Sequence, residues 1–303
     1  MTRFPAGVVL LVACLVPLGR GASAQEPASS DLDARVTAAL EGFAGRASLY
    51  ARNLDRGTSY DRGASDRVRS ASTIKLAILV AAYAEVAEGR ARWDDPLVLT
   101  NAKKAAGAGV LPELSDGLRL TLRDAVNLMI VVSDNTATNL VLDHLSADAV
   151  NARMAALGFE HTRCLKKIGG SGASRASQLA VNEGFGIGVT TPREMVDLVE
   201  RLVEGDLVSP AASREMVELL KRQQYRDGIF RNLKGASAAT KPGALDHLRS
   251  DVGVVFTDRG RIVMAITLDG LPEVDYSVDN PGLLLLSRLS NLLVEGLGGA
   301  VAP

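Results

Sequence analysis

Ser72-Thr73-Ile74-Lys75-Leu76-Ala77-Ile78-Leu79-Val80-Ala81-Ala82-Tyr83 is built from residues that favour a helix, and the pattern predicts one over Ile74 to Glu88. Its apolar positions run nearly all the way round, so this helix is expected at the centre of the molecule. Upstream, Ser48–Asn53 and Ser59–Asp61 flank Leu54-Asp55-Arg56-Gly57-Thr58 and read as a hairpin, preceded by a surface helix over Ser30–Phe43. Downstream, helices are expected over Thr121–Val132, Ala137–Leu145 and Ala147–Leu157. Thr191-Pro192-Arg193-Glu194 reads as a capping box that opens another. Val252–Thr257 and Arg261–Leu268, joined by Asp258-Arg259-Gly260, form a second hairpin, and Asn280–Leu297 is a closing helix. Strands from the two ends of the chain must pair to make one sheet, which leaves the helical middle as an insertion packed on it. The expected fold class is α+β: an antiparallel sheet flanked by helices, with an inserted all-helical lobe. A cleft between the lobes is the default site.

Among 303 residues, Lys+Arg is 34 and Asp+Glu is 35, for a net charge of −1; apolar residues make up 47% and charged residues 23%. Such a composition excludes a disordered chain, a collagen-like fibre and a multi-span membrane protein, and gives no electrostatic case for nucleic acid. Two cysteines are too few for a disulfide framework, and the three histidines have no metal-ligand spacing, so neither metal nor cofactor is expected. Arg3, the apolar run Ala6–Leu18 and Ala22-Ser23-Ala24 read as a signal peptide over residues 1–24. Leu11-Val12-Ala13-Cys14 resembles a lipidation box, but the apolar run continues past Cys14, which favours plain export to the periplasm or medium. No repeat or linker divides the remainder. Residues 25–303 are therefore expected as one monomeric unit without a membrane span, its sheet lobe at about 25–68 and 208–303 and its helical lobe at about 69–207.

Three motifs carry chemistry. Ser72-x-x-Lys75 places a hydroxyl and an amine on one face of a helix start, where the amine can serve as base and backbone N–H groups can meet an oxyanion. Ser133-Asp134-Asn135 presents two polar side chains at spacing two, with Asp134 turned inward. Lys241-Pro242-Gly243, ahead of the last hairpin, sets a cation beside a glycine where backbone can approach a substrate closely. Each triplet also has an ordinary reading, as a helix cap or a turn.

In this order the three resemble the penicillin-recognising serine hydrolases, most closely the class A β-lactamases. The resemblance extends through Thr136-Ala137-Thr138-Asn139-Leu140, Thr190-Thr191-Pro192 and Arg249-Ser250-Asp251 followed by Val252-Gly253-Val254-Val255, and covers roughly residues 32–297. It implies Ser72 as the acylated nucleophile, Lys75 as its base and Ser133 as proton carrier to the departing nitrogen. It also implies Asn135 on the substrate side chain and Lys241 near the substrate carboxylate. The oxyanion hole would be the N–H groups of Ser72 and of Ala244, which follows Gly243. Arg249 is expected as a second carboxylate anchor.

Two departures stand out. The family deacylates with an Ω-loop glutamate in R-x-E-x-x-x-N, which this chain lacks. An ungapped count from Thr162-Arg163 puts Ile168 there, and alignment on Asn182-Glu183 puts Gln178 there. Neither can take a proton from water, and Glu183 has the wrong spacing. Pro242 replaces the family's Thr or Ser and removes a hydroxyl that holds the β-lactam carboxylate. The expectation is therefore a β-lactamase-like hydrolase that acylates on Ser72 and deacylates slowly. Alternatives are a D-Ala-D-Ala peptidase or transpeptidase, and a non-hydrolysing penicillin- or peptidoglycan-binding protein.

Overall fold

In the computed structural model, Met1 and residues 30–298 are described. The signal-peptide and Cys14 readings lie outside them. In chain order the elements are α1 (Ser30–Leu40), β1 (Arg46–Asn53), β2 (Ser59–Arg62), β3 (Val68–Arg69), α2 (Lys75–Ala87), β4 (Pro96–Val98), β5 (Arg119–Thr121), α3 (Leu122–Val131) and α4 (Asn135–Leu145). There follow α5 (Ala147–Ala156), β6 (Arg163–Cys164), β7 (Gly188–Thr190), α6 (Pro192–Glu204), α7 (Pro210–Lys221), β8 (Ser237–Leu245), β9 (Leu248–Thr257), β10 (Gly260–Asp269) and α8 (Pro281–Leu297).

The five-stranded antiparallel sheet has the order β2-β1-β10-β9-β8, so β1 pairs with β10 across more than 200 residues of sequence. That pairing closes the sheet and ejects the helical middle, as the hairpins at either end require. Both sheet faces are covered. Val252, Val254, Val263 and Ala265 pack toward α2 and its neighbours. Val255, Ile262, Met264 and Ile266 pack against Leu32 and Val36 of α1 and Leu286, Leu289 and Leu293 of α8. This strict alternation fixes which side chains of β8 and β9 face the helical lobe.

At the first motif the chain enters α2 through a single 3-10 turn, Ala71–Ile74, rather than a straight helix start. Every residue from Lys75 to Ala84 is then buried, which is why the helix has no polar face. At α6, Thr191 accepts from the Glu194 N–H and Pro192 takes the first position, as expected. The reciprocal half of the box is absent: the Glu194 carboxylate accepts instead from the His161 N–H and the Thr162 hydroxyl, tying the α5–β6 turn to α6. A reciprocal box occurs at Thr121 and Asp124, ahead of α3. The strands of the short sheets β3-β7-β6 and β4-β5 are too short to show a periodic pattern, whereas α7 carries one in Ser213, Met216, Leu219 and Leu220 behind the Ser209-Pro210 start, a signal missed from sequence. None of the helices is long and apolar enough to cross a membrane among the described residues.

Candidate active site

The 3-10 turn brings positions i and i+3 into line, so Ser72 and Lys75 share an edge facing β8. The edge strand comes very close there. A Cβ added to Gly243 would lie 3.1 Å from the Ser72 nitrogen and 3.1 Å from the Ser70 oxygen. Glycine is what lets the backbone of the third motif meet the nitrogen of the first. Ser72 is half-buried, and its hydroxyl bonds to neither lysine among the described residues. Such contacts often tighten only when substrate is bound.

Lys75 is completely buried, and its Nζ donates to Ser133 O at 2.7 Å, Asn135 Oδ1 at 3.0 Å and Ser133 Oγ at 3.1 Å. Burial, and then the charge of Lys241, push this amine well below the ordinary lysine range, against an opposing pull from Asp134. A neutral amine can accept a proton, as a base must.

The second motif is fastened by Asp134, whose carboxylate accepts from the N–H groups of Val110 at 2.7 Å, Leu111 at 2.9 Å and Ala137 at 2.8 Å. It caps α4 and binds the preceding loop to it at once. Asn135 is held by Ala106 O on its amide nitrogen and Ala108 O on its backbone N–H. Gly109, at φ +118°, leaves no room beside this carboxylate: an added Cβ would sit 2.3 Å from Asp134 Oδ2. Gly109→Ala is therefore expected to destabilise the fold by about 3 kcal/mol, read by urea unfolding, through backbone strain plus a displaced buried carboxylate. Unchanged stability would show that the loop does not lean on Asp134.

Lys241 is also fully buried, and its Nζ donates to Ser133 Oγ at 3.0 Å and Pro242 O at 2.8 Å. One hydroxyl thus bridges two amines brought from positions 75 and 241. When Lys75 is neutral, Ser133 can donate to it while accepting from Lys241, which makes a short proton path. The Pro242 carbonyl points to the open side of the edge strand, so the N–H that proline lacks is missing from the crevice and not from the β8–β9 ladder.

Arg249 is placed differently from the anchor role expected of it. Register sets Lys241 opposite Val252, on the helical-lobe face, whereas Arg249 shares the other face with Asp251. It is 2% exposed, and its guanidinium donates to the carbonyls of Leu245, Leu248 and Asp275 beneath the Tyr276 ring. Ala244 is exposed at the end of β8.

The loop after β6 separates the two positions considered for the missing glutamate. Ile168 sits on a tight turn closed by Gly170 N to Lys167 O. Its N–H and carbonyl are both held, at 2.9 Å each, by the amide of Asn139, one helical turn beyond Asn135 on α4. Gln178 is exposed in a separate 3-10 turn whose start is tied to Asp148 on α5. Asn182 is buried, with its amide nitrogen on Ala176 O and its oxygen receiving Arg67; Glu183 is exposed. The Asn139–Ile168 clasp was missed from sequence, although the spacing of four from Asn135 marks Asn139 as sharing its helix face.

A sequence profile of the beta-lactamase enzyme family matches residues 31–297. The chain belongs to that family. It is a serine hydrolase of the β-lactamase type, with the β-lactamase/transpeptidase fold. It is 26% identical to a beta-lactamase of Rhodobacter capsulatus over 296 residues, covering 94% of this chain and 97% of the relative. The crystal structure of a beta-lactamase from Sphaerobacter thermophilus is 32% identical, with TM-score 0.77 over 88% of this chain and 97% of that one. The structure of PBP-A is 27% identical, with TM-score 0.77 over 89% and 96%; a leucine-to-glutamate mutant of it has been captured as an acyl-enzyme with penicillin G. Beside the family's three motifs, Cys164 is buried, which pushes its thiol up to about 12 and away from reactivity. The described residues hold no cluster of His, Cys, Asp and Glu able to bind a metal.

Proposed function

We propose that this β-lactamase-family hydrolase is exported and that Ser72 opens β-lactam or related amide substrates to form a slowly released acyl-enzyme. The observation that carries the reading is the Ser133 hydroxyl held between the buried amines of Lys75 and Lys241, with Gly243 of the same edge strand pressed against the Ser72 nitrogen. In this reading Lys75 takes the Ser72 proton. The hydroxyl oxygen attacks the carbonyl carbon, and the oxyanion is met by the N–H groups of Ser72 and Ala244. Ser133 passes a proton to the departing nitrogen as the C–N bond breaks, leaving an ester on Ser72. Asn135 holds the substrate side chain, and Lys241 its carboxylate. Arg249 is committed to carbonyls and Pro242 offers neither hydroxyl nor N–H, so carboxylate binding is weakened by about 1–2 kcal/mol for each hydrogen bond forgone.

Water must then cleave the ester. The position clasped by Asn139 is an isoleucine, and Gln178 and Asn182 are amides, so no carboxylate is supplied for this step. Support for export comes from Arg3, the apolar run Ala6–Leu18 and Ala22-Ser23-Ala24. Intact-protein mass spectrometry with penicillin G is expected to show one adduct equal to the whole antibiotic, persisting for minutes, and none on Ser72→Ala. An unmodified wild-type chain at every pH and concentration would overturn the reading.

A further inference from the structure

Lys241 is a fully buried cation in an odd position. Its hydrogen-bond acceptors are a hydroxyl and a carbonyl, and no carboxylate lies within ion-pair distance of it among the described residues. An ammonium buried without a counter-charge is costly. The charge that answers it lies through the sheet. Asp251 is 2% exposed on the adjacent strand, next in register to the residue paired with Lys241, and its side chain leaves by the opposite face. There it accepts from the Ile229 N–H at 2.9 Å and the Val252 N–H at 3.0 Å. Gly228 is pressed so close that an added Cβ would lie 2.4 Å from Asp251 Oδ2. The family's three motifs do not include this residue, and no step proposed above uses it.

We propose that Asp251 is a positioning residue for the hydrolase: from the far face of β9 its carboxylate holds Lys241 as an ammonium against Ser133, and so assigns the proton to Lys241 rather than to Lys75. The inference rests on the Ser72 acylation reading. Burial pushes the Asp251 carboxyl up to about 7, against the pull of its two N–H donors and of Lys241. Burial likewise pushes Lys241 down to about 7, against the pull of Asp251. Each charge favours the charged form of the other across β9, so the two titrations are linked. Around this pair, Lys75 on α2 and Asp134 ahead of α4 are the charged groups on the crevice side. On the far side Arg249 shares the face of Asp251 but is spent on the Leu245, Leu248 and Asp275 carbonyls. A protonated Lys241 repels a second charge on Lys75, which keeps Lys75 a base.

The test compares acylation rates of the full chain with a chromogenic cephalosporin from pH 5 to 10. Asp251→Asn is expected to move the alkaline limb toward acid by about one pH unit, an approximately tenfold loss at pH 8, because Lys241 then surrenders its proton sooner. Ser290→Ala removes the hydroxyl that holds Ile229 O from α8, so it loosens the same segment without removing a charge. It is expected to lower the melting temperature and leave the limb in place. A limb unmoved in Asp251→Asn, or moved equally in Ser290→Ala, overturns the proposal. In the wild type, the 13C signals of Lys241 Cε and Asp251 Cγ are expected to titrate together near neutrality. Separate midpoints near 10 and 4 overturn it even if Asp251→Asn does not fold. The NMR readout needs no substrate, so a chain that formed no Ser72 adduct would fail the first reading while still showing the pair.

Discussion

Under the proposed mechanism, Lys75→Met is expected to lower the rate of Ser72 acylation by about 10³-fold, the usual effect of losing a positioned general base, while leaving a folded protein. The side chain is close in length to lysine and fills the same buried channel. What disappears is the amine that faces Ser133 O, Ser133 Oγ and Asn135 Oδ1. Stopped-flow acylation separates this from a binding defect, since the rate at saturating substrate falls. Stability carries a second signature. A lysine whose folded pKa lies below its unfolded value binds fewer protons folded than unfolded, so wild-type stability rises with pH between the two. Lys75→Met lacks that contribution, and its melting temperature gains on the wild type as pH falls from the ordinary lysine range toward the depressed folded value. Acylation within tenfold of wild type would remove Lys75 from the role of base and shift it to Lys241.

The sheet was legible because two hairpins at opposite ends of the chain have only each other to pair with, and α2 because an all-apolar helix has nowhere to go but the core. The convergence of Lys75, Ser133 and Lys241 on one hydroxyl follows the order of the motifs. Other features depend on relations that no short stretch contains. Arg249 sits near the third motif in sequence, yet the parity of the β8–β9 register sends it to the far face, and a one-residue slip would have reversed that. Glu194 fits the capping pattern, but His161 and Thr162 are nearer partners once α5 and α6 pack. The loop holding Ile168 is rich in glycine, and its course is set by the local turn between Lys167 and Ser171 together with the Asn139 amide and Asp143, which reach it from α4.

That amide makes the missing deacylation group a question of placement. Ile168→Glu is expected to shorten the life of the Ser72 acyl-enzyme by about 10²–10³-fold, the range of a general base acting on water. The clasp uses only the backbone of residue 168, so the substitution leaves both 2.9 Å bonds from Asn139 in place. The position is half-buried beside α4, where a carboxylate has access to water and is clasped against the helix that carries Asn135. Gln178→Glu serves as the contrast. Its side chain is exposed on a turn tied to α5, and a carboxylate there is expected to leave the lifetime unchanged. Decay of a pre-formed penicillin adduct, followed by mass after excess antibiotic is removed, reads both variants directly. Faster release from Gln178→Glu with none from Ile168→Glu would reverse the placement. Release unchanged in both would mean that water reaches the ester from a side that neither turn lines, leaving Lys75 as the nearest base.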